Sequence, residues 1–137
     1  MATLKDIRVL LEKRLDIMTG NYPIAYENFN YKPTEGATFI KCAVVHTSSR
    51  PATLGPNAGR EMRGLFFIDL FYPRDKGPQL ADTIVDSILE QFKAGTVLTE
   101  TGLSTIVNVR FCERRGSALD FDGWYQIPIT VEWFCFE

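Results

Sequence analysis

Imidazole is the side chain best matched to proton transfer near neutral pH, and this chain has one, His46, followed by Thr47, Ser48 and Ser49. Adjacent residues in an extended segment point in alternating directions, so these hydroxyls do not converge on the ring as a catalytic triad. Asp120 and Asp122 flank Phe121 and would share a face of a strand, as paired carboxylates for acid–base work must. Asp122-Gly123 is also a strong turn signal, and turn chemistry is the simpler reading. Asp69 interrupts an apolar run. A lone inward carboxylate can be tuned for catalysis, but pairing with a basic neighbour or a place in a subunit contact accounts for it more simply.

Cys42, Cys112 and Cys135 are an odd number, far apart, each inside an apolar run. They read as reduced, buried small hydrophobes of a protein made in cytoplasm, and no pair has metal-ligand spacing. Gly55-Pro56-Asn57-Ala58-Gly59-Arg60 lacks the Lys-Ser/Thr of a phosphate loop and the strand–Gly–helix context of a dinucleotide fold. Glu113-Arg114-Arg115 is the one dense charge cluster, and a solvated strand end explains it. No catalytic residue, cofactor or metal site is expected.

The elements that would position any site are well marked. Leu4, Ile7, Leu11, Leu15 and Met18 recur at steps of three and four, predicting an amphipathic helix with Lys5, Arg8, Glu12 and Asp16 outward. Thr3 and Asp6 suggest its cap, and Gly20 its end. A short strand follows within residues 22–28, then a second over 38–46 that alternates Ile40, Cys42, Val44 with Lys41 and Ala43. Residues 47–60, with two Pro and two Gly, read as a long loop, and loops of that length tend to be functional. The third strand, 61–72, sets Met62, Phe66, Ile68, Leu70 and Tyr72 against Arg63, Leu65, Phe67, Asp69 and Phe71. Pro78 suits the start of a second helix burying Ala81, Ile84, Val85, Ile88 and Phe92, with Gly95 closing it. Strands over 105–114 and 124–136 complete the chain. The first would align Thr105, Val107, Val109 and Phe111; the second Tyr125, Ile127, Ile129, Val131 and Trp133. Pro128 cannot donate to a ladder, which points to an edge or a bulge. The order α-β-β-β-α-β-β, with short connections, predicts an α+β fold: a mostly antiparallel sheet with both helices on one face.

The 137 residues fit one domain, 1–137, and a composition 45% hydrophobic and 23% charged is that of a folded globular chain. A net charge of −2 with both signs interspersed argues against a dedicated nucleic-acid binder, though not against passive contact with DNA. The N-terminus lacks the apolar segment of a signal peptide, and no apolar run approaches the roughly 20 residues that cross a bilayer, so no membrane role is expected. If both helices cover one sheet face, the other should be polar in a monomer. Its candidates instead include Leu65, Phe67, Phe71, Trp124, Phe134 and Phe136. Apolar patches of that kind mark interaction surfaces, unless the sheet curls and hides some of them. Leu65, Phe67, Asp69, Phe71, Trp124 and Phe134 are therefore the candidate subunit interface.

Three blocks carry a family resemblance. They are the run from Arg63 through Gly64-Leu65-Phe66-Phe67-Ile68-Asp69-Leu70-Phe71-Tyr72 to Pro73, the run from Asp122-Gly123-Trp124-Tyr125 to Val131, and Ala25-Tyr26-Glu27-Asn28 after the first helix. Together, in order, they resemble the tail terminators of siphophages, a family of minor tail proteins. The resemblance implies an α+β sandwich that assembles as a homohexameric ring at the head-proximal end of the virion tail. The ring would bind the major tail tube protein, stop its polymerisation and join the head through a head-completion or connector protein. No catalytic residues are carried over. Ser48, Ser49, Arg50, Leu54, Asn57 and Arg60 become a candidate interaction loop that orders on docking. Two other readings remain: another head–tail connector or tail-completion subunit, and a small-ligand domain using Asp69, Tyr125 and Arg110.

Overall fold

The computed structural model describes residues 4–19, 22–26, 38–51, 60–73, 79–103, 105–114, 119–121 and 124–136. Its elements are α1 (Leu4–Thr19), β1 (Ile24–Ala25), β2 (Phe39–Pro51), β3 (Arg60–Pro73), α2 (Gln79–Gln91), β4 (Val97–Leu98), β5 (Val107–Arg114), β6 (Leu119–Phe121) and β7 (Trp124–Phe136). The strands form one sheet in the order β1-β2-β3-β7-β5-β4, with β6 also on β7. Every pairing is antiparallel except β1 with β2. The expected α+β architecture holds, with β4 and β6 as short additions.

Both helices lie against the same sheet face. α1 buries Ile7, Leu10, Leu11 and Leu15; α2 buries Ala81, Ile84, Val85 and Ile88, with Phe92 just beyond its end. They meet Ile40, Cys42 and Val44 of β2, the even-numbered residues of β3 and the odd-numbered residues of β7 in one core. Each such side chain contributes about 2 kcal/mol relative to exposure.

Several expectations shift. Leu4 is 58% exposed rather than buried, because the first turn of α1 stands beside the far ends of β2 and β3 rather than over the core. Asp6 accepts a hydrogen bond from the buried Thr105 hydroxyl at 3.2 Å, pinning the helix start to the segment before β5. Thr3 and Gly20 lie outside the described residues. Gly95 does not close α2, which ends at Gln91. It takes φ +89° inside a turn where Thr96 N–H reaches the Lys93 carbonyl at 3.1 Å, the positive φ that a type II turn demands at that position.

The second strand runs five residues past its expected end at His46. A register shift between His46 and Ser48 absorbs Thr47, after which Ser48, Ser49, Arg50 and Pro51 pair with Arg63, Met62, Glu61 and Arg60. The first residues of the expected loop are thus one arm of a hairpin. Pro128 marks neither an edge nor a bulge: β7 is central, flanked by β3 on one side and by β5 and β6 on the other. Pro128 falls between Gln126, paired with β6, and Ile129, paired with β5. Phe121 pairs with Trp124, so the chain reverses across the Asp122-Gly123 step, itself outside the described residues.

One ladder row is unusual. His46, Gly64, Trp133 and Val109 stand side by side across β2, β3, β7 and β5. The indole of Trp133, fully buried, lies over Gly64 and meets the His46 ring edge-on at 5.3 Å. A Cβ built on Gly64 would overlap both that ring and the Val45 carbonyl oxygen. Glycine is therefore required by close approach rather than by backbone angle.

Cys42 and Cys135 are buried, as expected, while Cys112 is half-buried. Its thiol is pushed up to about 12, first by burial and then by the Glu113 carboxylate. Two outcomes follow. Gly64→Ala should lose about 2–3 kcal/mol in urea unfolding, since a backbone oxygen cannot step aside as a flexible side chain would. At pH 8 the three native thiols should resist iodoacetamide and react once the chain is unfolded; rapid labelling of any of them in the native protein, read by mass spectrometry, would contradict this packing.

Candidate interaction surface

The sheet face opposite the helices is built by the alternation that makes the core. Each strand residue between two core residues projects the other way. On β3 these are Glu61, Arg63, Leu65, Phe67, Asp69 and Phe71; on β7 they are Gln126, Pro128, Thr130, Glu132, Phe134 and Phe136. The ladder sets them in rows: Lys41 beside Asp69 and Pro128, Ala43 beside Phe67 and Thr130, Val45 beside Leu65 and Glu132.

At one end the face closes on itself. Phe39 and Phe71 stack with ring centroids 4.7 Å apart and planes 3° from parallel, and Trp124 meets Phe39 edge-on at 5.1 Å. Phe71 is buried in this cluster together with Ala25 and Phe39. Of the six interface candidates, Phe71 and Trp124 are thus turned toward neighbours within the chain. Leu65, Phe67 and Phe134 form a half-buried apolar stripe in the middle. Phe136, at 54% exposure, extends it and packs edge-on against Phe134.

Asp69 borders the stripe, directly across from Lys41. Burial raises its carboxyl above the ordinary value, while a hydrogen bond from the Gln126 side chain and the Lys41 charge pull it partly back. Lys41 itself lies 5.7 Å over the Phe71 ring. The expected basic neighbour is therefore present.

At the other end the face is charged and internally paired. Arg63 pairs with Glu61, Arg50 approaches Glu61 at 3.9 Å, and Arg110 approaches Glu132 at 3.8 Å. Arg63, Arg110, Phe134 and Phe136 line an open hollow of about 370 Å³ between these pairs.

Arg110 and Phe111 are where the alternation misleads. A register shift between Val109 and Phe111 makes Arg110 a bulge residue, so Phe111 pairs with Glu132 while Cys112 takes the core position beside Val131. Phe111, expected beside Val107 and Val109, belongs to the opposite face. Phe39 could have been found from its place two residues before Lys41; Glu132 had no sequence signal beyond its charge.

Of the candidate loop residues, Ser48, Ser49, Arg50 and Arg60 are exposed on the hairpin arm, and Arg60 donates to the Ser49 hydroxyl at 2.7 Å. Leu54 and Asn57 lie outside the described residues, as does Asp122. Asp69, Tyr125 and Arg110 do not converge: Tyr125 packs against the core, Asp69 sits on the opposite face, and Arg110 is engaged with Glu132. Arg114 approaches Asp82 at 3.3 Å, a strand end tied to α2. Among the described residues no three His, Cys, Asp or Glu side chains are grouped to hold a metal, and no helix is long and apolar enough to cross a membrane.

The sheet thus has one face packed under both helices and a second face, part apolar and part charged, that neither helix covers. The chain matches the phage tail terminator protein family over residues 6–133, nearly its whole length, and belongs to that family. It is a phage tail assembly protein and a component of the virion tail. One solved structure, 20% identical, shares the fold with a TM-score of 0.75 over 100% of this chain and 97% of its own. No curated protein matches the sequence.

The setting of Asp69 yields a pH test. A carboxyl raised in the folded state binds protons that the unfolded chain has released, so stability falls as pH rises from the unfolded value, 3.8, through the folded one. Asp69→Asn should remove that slope and leave the protein at least as stable at pH 7, measured by urea unfolding across pH 3.5–7. A variant less stable at pH 7, with the slope unchanged, would contradict it.

Proposed function

We propose that the protein is the tail terminator itself, a hexameric ring that caps the completed tail tube at its head-proximal end. The observation that carries the reading is the half-buried stripe of Leu65, Phe67 and Phe134 on a sheet face that neither helix covers. Apolar side chains gathered on one uncovered sheet face mark an interaction surface. A ring requires heterologous contacts, one patch meeting a different patch on the next copy, and a sheet with two unlike ends to its open face is suited to that.

The mechanism is binding without chemistry. A ring seated on the last layer of tube protein occupies the surface the next tube subunit would need, so growth stops. Its opposite side then offers a fresh surface to a head-completion protein. DNA would pass through the lumen without being read, in keeping with the balanced charge of the chain.

Phe67→Asp places a charge in the middle of the stripe without touching the core. Circular dichroism and thermal melting should show a fold close to the parent. In tube assembly reactions followed by electron microscopy, the parent protein should cap tubes and arrest their growth, whereas the variant leaves ends bare and tubes growing. Variant-capped tubes of ordinary length would remove the stripe from the account.

A further inference from the structure

The hairpin arm of β2 and β3 reaches past the packed helices, and a second open hollow, of about 520 Å³, lies on the helix side of that arm. Five of its lining side chains carry hydrogen-bond donors: His46, Thr47, Ser48, Ser49 and Arg60. Leu4 and Met62 supply the apolar remainder, and among the described residues that line it there is no carboxylate. This contrasts with the hollow at Glu61, Arg63, Arg110 and Glu132, where the charges cancel. Two of the donors are held in place: the Arg60 guanidinium by Ser49 at 2.7 Å, and the His46 ring by Trp133. Leu4, 58% exposed, stands at its rim.

The complementary surface is on α2. Asp82, Asp86 and Glu90 recur every four residues along its outer side, and all are exposed. Arg114 and Lys93 attend the two ends, at 3.3 Å from Asp82 and 3.2 Å from Glu90. Such exposed pairs are weak and readily exchanged. Within one chain the Asp82 end of this helix side is remote from the hollow. Arg114, which holds Asp82, is joined through Ile129 to the Ile68 row of the ladder, and Arg60 lies eight residues further along β3. Eight strand steps amount to about 26 Å.

We propose that the donor-lined hollow of the arm receives the carboxylate side of α2 from a second copy of this chain. Resting on the ring reading above, this adds to the open face a second contact between neighbouring copies, on the helix side of the sheet: the arm of one copy against α2 of the next. Each copy offers both, so the contact repeats head to tail and closes without a free donor or acceptor surface. Leu4 contributes the apolar anchor beside the charged pair, and the paired charges set the register.

A charge swap tests it by sedimentation velocity of the full chain, alone and with tail tube protein. Arg60→Glu and Asp86→Lys should each weaken self-association at least tenfold, and the double variant should recover to within about threefold of the parent, because the exchanged charges meet again. Thermal melts should leave all three as stable as the parent, since both positions are exposed. Singles that associate like the parent, or a double as impaired as the singles combined, would overturn the contact while leaving the ring reading standing. A parent that remains monomeric in both samples would remove the ring reading, and this contact with it.

Discussion

The pairing of β3 with β7 is the constraint on which the rest of the structure depends. Thirteen consecutive residues of each strand are in register, from Glu61 with Phe136 to Pro73 with Trp124. A single-residue slip would turn Phe66, Ile68 and Leu70 away from the helices and bring Phe67, Asp69 and Arg63 inward. The register is locked where Trp133 crosses Gly64, because only a residue without a side chain leaves room for the indole. Both helical stripes then find a continuous apolar floor.

The same pairing creates the outer face. Alternation that buries Ile127, Ile129 and Val131 necessarily projects Pro128, Thr130 and Glu132 outward, and it does the same for Leu65 and Phe67. In a protein with no further use for that face, polar residues would occupy it. Here the aromatic end is closed by Phe39, Phe71 and Trp124, the charged end is internally paired, and the stripe between them stays uncovered by either helix. Membership of the tail terminator family gives that stripe its context, since a structural tail protein acts through the surfaces it presents.

Much of this was legible in the sequence. The helical stripe Ala81, Ile84, Val85, Ile88 and Phe92 is found entire in the core, because a period of 3.6 survives any tertiary setting. Both faces of β3 read correctly for the corresponding reason with a period of two. What escaped was whatever depends on a neighbour. The bulge at Arg110 leaves Val107, Val109 and Phe111 looking in phase, although the inserted residue turns Phe111 outward. The shift at Thr47 hides that Ser48, Ser49 and Arg50 belong to a strand, since their composition is that of a loop. Pro128 suggested an edge because the strands that flank β7 on both sides are a property of the sheet, not of β7. Phe71 and Trp124 looked like free interface residues until the ladder brought Phe39 between them.

The central claim is that the uncovered face and the arm exist to join copies of this chain into a ring at the end of a tube. Native mass spectrometry of the unmodified protein, alone and with its tail tube protein, tests that most directly. The account predicts a closed assembly of about six subunits in at least one of the two samples. A monomer in both, at concentrations where tubes form, would contradict it.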